Sequence, residues 1–186
     1  GASKSSKEEI LANIEDGCKY FIAGLAMKVL LADHYAMLWK EIGTIGYESI
    51  STPFAWIGAV TYSLQLFFDF WGYSLMSSGI AVMLGFPFVV NFDHPYGSAS
   101  VSEFYRRWHA TLGSWFRDYI YIPMGGSRVG TVRIILNLLV VWLVTGFWHG
   151  VTLNFILWGI ILFVIIMCER FIVFKLPGVL KTIVGR

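Results

Sequence analysis

Charge is scarce in this sequence. Of 186 residues only 14% are Asp, Glu, Lys or Arg, against 56% hydrophobic residues and a mean hydropathy of +0.65. Soluble domains carry about 25% charged residues, so this chain lacks what it would need to cover a water-exposed surface. The net charge is only +2, which makes no case for nucleic acid binding. Cysteine is nearly absent: Cys18 and Cys168 each sit in an apolar run and neither belongs to a CxxC motif. They read as small apolar residues, with no support for a disulfide framework. Four histidines are present, His34, His94, His109 and His149, and no two have HxxxH or HExxH spacing, so a metal site is not expected. No internal repeat or low-complexity tract is visible. The opening residues GASKSSKEE are polar and mixed in charge, unlike a secretory leader. The chain starts without Met and ends on a basic stretch, so it reads as a piece of a longer protein.

What is present is apolar length. Aromatic residues make up 17% of the chain, a share that suits rings placed at membrane interfaces. Residues 1–16 are polar, and Ser5 or Ser6 followed by Glu8 and Glu9 marks a helix start. The apolar stretch at 18–40 carries Lys28, Asp33 and His34, and so predicts a compromised span that lies partly in the interface or among other helices. Residues 43–53 read as a loop closed by Pro53. From Phe54 to Phe92 the only charge is Asp69, a run long enough for a full span of about 20 residues. A carboxylate there is usually paired or lines a polar path. Gly85, Pro87 and the polar NFDHPYGS segment end that run, and residues 91–101 read as a loop.

Residues 102–119 have a different pattern. On a helical wheel Phe104, Trp108, Leu112, Trp115 and Tyr119 share one arc, while Arg106, Arg107, Arg117 and Asp118 lie opposite. This predicts one amphipathic helix in the membrane interface. The arginines suit lipid headgroup phosphates or a phosphate-bearing donor such as coenzyme A. Residues 120–130 form a turn-rich connector. From Ile134 to Cys168 there is no Asp, Glu, Lys or Arg. One straight helix of that length would reach about 52 Å, far beyond a hydrocarbon core of about 30 Å. Two full spans with a turn need slightly more chain. A break is therefore expected in TGFWHGVTLN, residues 145–154, with His149 in its middle. Arginine and lysine concentrate at 106–133 and 170–186, which favours the cytoplasmic side for both regions. Residues 134–168 must then enter and return, as a short hairpin or a re-entrant pair.

His149, embedded in the uncharged run, is the leading candidate for chemistry. The residues leave two readings open: a neutral imidazole hydrogen-bonded to a neighbouring helix, or a buried general base. His109 is the second candidate. His94, in a DHPYG loop, reads as a turn residue, and His34, beside Asp33, as a local hydrogen-bond partner.

The pieces RRWH (106–109), WFRDYIYIP (115–123), GGSR (125–128) and FWHG (147–150) occur in the order and spacing of a known signature. With GLAMKVLLAD at 24–33 and LQLFFDFWGYSLMSSGIAVMLGF at 64–86, they make the chain resemble the membrane-bound O-acyltransferases, in the bacterial branch containing alginate O-acetyltransferase. The resemblance implies an all-α integral membrane fold, a multi-helix bundle with interfacial and re-entrant helices around a central tunnel. Residues 1–186 would form one membrane domain of it. It implies transfer of an acyl group, with acetyl first, from a cytoplasmic thioester donor such as acetyl-CoA to hydroxyls of an extracytoplasmic polysaccharide. His149 would be the base and His109 its assistant, with no bound cofactor. Arg106, Arg107, Arg117, Asp118, Trp148 and Asp69 would lie on the donor side or tunnel wall. The partners implied are the donor, membrane lipids, and a polysaccharide or an extracytoplasmic acetyltransferase, in the cytoplasmic membrane. Two alternatives remain: D-alanyl transfer to teichoic acid, and a non-catalytic scaffold or acyl conduit for a partner enzyme.

Overall fold

The computed structural model describes residues 6–46 and 48–171. They are helical, with one isolated antiparallel bridge between Phe92 and Trp108 and no strand among the described residues. Three helices are long and apolar enough to cross a membrane: Lys7–Ile45, Thr131–His149 and Leu153–Phe171. The chain divides into two compact units, residues 1–89 and 90–186.

In the first unit the helix starts well before residue 18. Ser6 caps it by accepting from the Glu9 amide at 3.1 Å, and Glu8 and Glu9 occupy the first turn, where carboxylates favour the helix dipole. α1 (Lys7–Ala26) runs through one wider π-helical turn (Met27–Ala32) into α2 (Asp33–Ile45). After a short loop, α3 (Thr52–Met83) starts with Pro53 in its first turn, where the missing N–H is no loss. At 32 residues α3 is about 48 Å long. α3, whose only charged residue is Asp69, is not among the three helices named above. α3 also ends earlier than residue 92. Gly85 adopts φ +85°, its amide bonds to Val82, and the Phe86 amide bonds to Ala81, a Schellman closure.

Four glycines draw α1 and α3 together. A Cβ on Gly17 would lie 2.5 Å from the Gly79 carbonyl oxygen, and one on Gly24 would lie 2.4 Å from that of Gly72. Only glycine admits this approach, the small-residue packing that membrane helices use. Beside the seam, the Lys28 ammonium in the π turn bonds Asp33 at 2.9 Å and Asp69 on α3 at 2.7 Å. His34 bonds the Val29 carbonyl rather than Asp33.

The second unit contains α4 (Val101–Arg107), α5 (Ala110–Phe116), a π-helical turn (Arg117–Tyr121), α6 (Thr131–His149) and α7 (Leu153–Phe171). The single interfacial helix expected at 102–119 is broken. Trp108 is extended and His109 is left-handed, with φ +50° and ψ +51°. Two backbone bonds to the preceding loop take over at the break: Asp93 N–H to the Arg107 carbonyl (3.0 Å) and Ala110 N–H to the Asn91 carbonyl (2.9 Å). The expected apolar arc does not survive. Phe104 and Trp108 pack against Tyr96, while Trp115 and Tyr119 are exposed.

Glu169, on the last turn of α7, anchors the start of α4. Its buried carboxylate accepts from the amides of Val101 and Ser102, each at 2.9 Å, and from the Ser102 hydroxyl. In the connector, Gly125 and Gly126 both adopt positive φ. Fully buried Asn137 on α6 holds them by donating to the Met124 and Gly126 carbonyls at 3.1 and 3.3 Å.

α6 and α7 form a hairpin that breaks at Gly150–Thr152, inside the expected 145–154 segment. The helices extend beyond the charge-free run at both ends, to Thr131 and Phe171. That extension supplies the chain that two spans required: 19 residues each, about 28 Å. The seam is again glycine. A Cβ on Gly146 would sit 2.6 Å from the Phe155 carbonyl oxygen, and one on Gly159 would sit 2.5 Å from that of Trp142. Of the basic tail at 170–186, residues 172–186 lie outside the described residues.

Candidate active site

His149 is the last residue of α6. The helix stops there because the chain turns at once into α7, and Gly150 is needed for the turn: a Cβ on it would fall 2.5 Å from the Phe155 ring. The His149 imidazole stands edge-on to Trp148 and Trp158, with ring centres 4.9 Å away in each case, and faces Phe155 at 6.2 Å. The expected deep burial of His149 is not found; it and Trp148 are exposed on this chain. An imidazole at a helix end, in a turn of only three residues, is flanked by rings rather than enclosed by them.

His109 is placed by the break between α4 and α5. A left-handed conformation costs a non-glycine residue of order 1–3 kcal/mol and persists only where surrounding contacts over-determine it. Here the flanking bonds to Asn91 and Asp93 do so. The His109 ring is half-buried. Its Nδ1 lies 3.1 Å from the Asn91 side-chain oxygen, which also accepts from the Thr111 amide (3.2 Å) and hydroxyl (2.8 Å). Burial, and after it the proximity of His149, lowers the His109 pKa below its ordinary value.

Trp148 joins the two histidines: its ring centre is 6.0 Å from that of His109 and 4.9 Å from that of His149. A second chain of rings reaches His149 from α4. Tyr105 packs edge-on against Trp142 and Trp158, and Trp158 touches His149. Burial pushes the Tyr105 phenol up to about 12, so it stays a neutral hydroxyl at any working pH.

The remaining sequence candidates are placed differently. Arg106 is exposed on α4. Arg107 is tied to Glu103 at 2.6 Å, and Glu103 also accepts from the Ala99 amide at 2.9 Å; that backbone bond, more than the arginine, lowers its pKa. Arg117 and Asp118 pair with each other on the surface at 2.7 Å, which lowers the Asp118 pKa. Asp69 belongs to the first unit and to Lys28. His94 is a turn residue, left-handed at φ +46° and bonded to Asp93. Among the described residues no three His, Cys, Asp or Glu side chains gather in a way that could hold a metal ion.

Sequence reasoning passed over Asn91, Thr111, Tyr105, Glu169 and Asn137. A signal was available for two of them. Asn137 is an amide inside a long apolar run, and Glu169 is the carboxylate that ends it.

The long apolar helices make this a membrane protein. A family model described as the membrane-bound O-acyltransferase family matches residues 21–177, and the chain belongs to that family. It is 41% identical over 155 residues to a protein of Pseudomonas fluorescens named "Probable alginate O-acetylase AlgI", covering 83% of this chain and 31% of the relative. A protein of the same name from Pseudomonas aeruginosa is 44% identical over 144 residues, 77% of this chain and 27% of that relative. A "Peptidoglycan O-acetyltransferase" of Helicobacter pylori is 40% identical over 149 residues, 80% of this chain and 28% of that relative. The chain thus spans about a third of the length of these relatives or less.

Proposed function

We propose that this chain carries the acid–base pair of a membrane O-acyltransferase that moves an acetyl group from a thioester donor to hydroxyls of a cell-envelope polysaccharide. The observation that carries the reading is the pairing of His109 and His149 through Trp148, at two backbone breaks of a membrane protein whose relatives are named as O-acetylases.

A hydroxyl is a poor nucleophile until its proton is removed. His149, neutral, takes that proton as the hydroxyl oxygen attacks the thioester carbonyl carbon. The tetrahedral intermediate collapses, the C–S bond breaks, and the imidazolium returns the proton to the departing thiolate. His109 assists by hydrogen-bonding at the same centre. Acetyl-CoA supplies the thioester from the cytoplasmic side of the cytoplasmic membrane, and exposed Arg106 gives its phosphates a cationic contact. The acceptor is the polysaccharide itself or an extracytoplasmic acetyltransferase that relays the group.

General acid–base groups contribute typically 10²–10⁴-fold. His149→Ala in the full-length protein should therefore reduce surface-polymer O-acetylation to the level of the gene deletion while membrane insertion stays normal. Wild-type acetylation in that variant would end the proposal.

A further inference from the structure

We infer that Asn91 is a positioning residue for the histidine pair: its side-chain oxygen selects the His109 tautomer protonated on Nδ1, which makes Nε2 the nitrogen that exchanges a proton or hydrogen bond with substrate. The inference rests on the reading above for the role of His109, but the tautomer itself does not.

The identity of the Asn91 atom decides the matter. An asparagine amide can be turned so that oxygen and nitrogen exchange places. Here the Thr111 backbone N–H points at the atom in question from 3.2 Å, and a backbone amide can only donate. That atom must therefore be the oxygen. The Thr111 hydroxyl, at 2.8 Å, donates to it as well. His109 Nδ1 lies 3.1 Å from the same oxygen. Two acceptors do not share a hydrogen bond, so Nδ1 must carry the proton. In the neutral ring Nε2 is then the basic nitrogen.

Asn91 is itself held firmly. Its carbonyl oxygen accepts from Ala110, and the next residue, Phe92, bridges to Trp108. One residue therefore holds both the left-handed backbone at His109 and the orientation of its ring. A partner on one imidazole nitrogen that dictates the state of the other is a recurring device of histidine sites. A neutral amide in this place orients the ring without the strong pull toward imidazolium that a carboxylate exerts. Of the charged groups nearby, Asp93 pairs with His94 and Arg107 with Glu103, while Arg106 is exposed. His149 is a further titratable neighbour.

The deciding measurement is the ¹⁵N spectrum of the full-length protein in lipid bilayers, labelled at histidine, with His109 assigned by its loss in His109→Gln. Wild type is expected to show a protonated Nδ1 and an unprotonated Nε2 in the neutral state. Asn91→Ala should mix the two tautomers and lower kcat up to about 10-fold, the rate equivalent of one lost hydrogen bond, with KM little changed. Asn91→Asp keeps the acceptor but favours the imidazolium, so it should move the acid limb of the rate profile to higher pH. A wild-type spectrum with the proton on Nε2 overturns the inference without any variant, as does an unchanged tautomer in Asn91→Ala. If instead His149→Ala keeps full activity, the functional reading fails while the tautomer assignment stands.

Discussion

Removing the Glu169 carboxylate tests how this chain holds its site together. The first amides of a helix have no intrahelical acceptor, and in α4 those of Val101 and Ser102 are both satisfied by Glu169, 67 and 68 residues away in sequence. Hydrogen bonds to a charged acceptor contribute about 1.5–3 kcal/mol each, and a buried donor left without one costs about 1–3 kcal/mol. Glu169→Ala strips the acceptor from two amides and the Ser102 hydroxyl. Allowing for water reaching part of the vacated space, the loss should be roughly 3–5 kcal/mol. Glu169→Gln keeps one acceptor oxygen and should lose about half of that. The assay is thermal unfolding of the full-length protein in bilayer discs, joined to hydrogen exchange at residues 101–104. α4 also carries Tyr105 against Trp158, which touches His149, so activity should fall in the same order as stability. An alanine variant with the wild-type melting temperature and unchanged exchange at Val101 and Ser102 would refute the anchoring argument.

The hairpin seam predicts that Gly146→Ala forces α6 away from α7, because the new Cβ would meet the Phe155 backbone. Overpacking of this kind costs about 1–3 kcal/mol, and a melting temperature equal to that of wild type would contradict it. His109 predicts a pH dependence. Above the ordinary imidazole pKa neither the folded nor the unfolded chain is protonated there, and the group adds nothing. As the pH falls through that value, the unfolded chain takes up a proton that the folded site resists, so stability declines until the depressed pKa is passed. Wild type should lose melting temperature across this window more steeply than His109→Gln, and parallel curves would rule out a depressed pKa.

Local signals in the sequence carried far in some places. The hydroxyl and two carboxylates at Ser6, Glu8 and Glu9 marked a helix start, and Ser6 caps it. The glycines, threonines and asparagine of 145–154 marked a break, and α6 ends at His149. At 102–119 local pattern misled. The 3.6-residue periodicity of apolar and charged side chains runs unbroken through Trp108 and His109, yet the backbone leaves the helix there. The cause is distant in sequence: loop residues 91–93 provide the bonds that replace the helical ones. The glycine seams escaped for a similar reason. Gly17 and Gly24, and Gly72 and Gly79, share a seven-residue spacing, but only their antiparallel meeting makes the spacing a contact.

The sequence by itself determined the solvent of this protein. So little charge and such long apolar runs leave a bilayer as the medium in which its surface is stable, because exposed apolar area is penalised by water and not by lipid. It also determined which histidines to watch, through motifs that place His109 and His149. What only the tertiary structure decided is what those histidines touch. Trp148 against the His109 ring, Asn91 against its Nδ1, and Glu169 beneath α4 are contacts between residues far apart in the chain. A hydrogen bond or a ring contact depends on a few ångströms in space, and no spacing in sequence encodes that until the helices have packed.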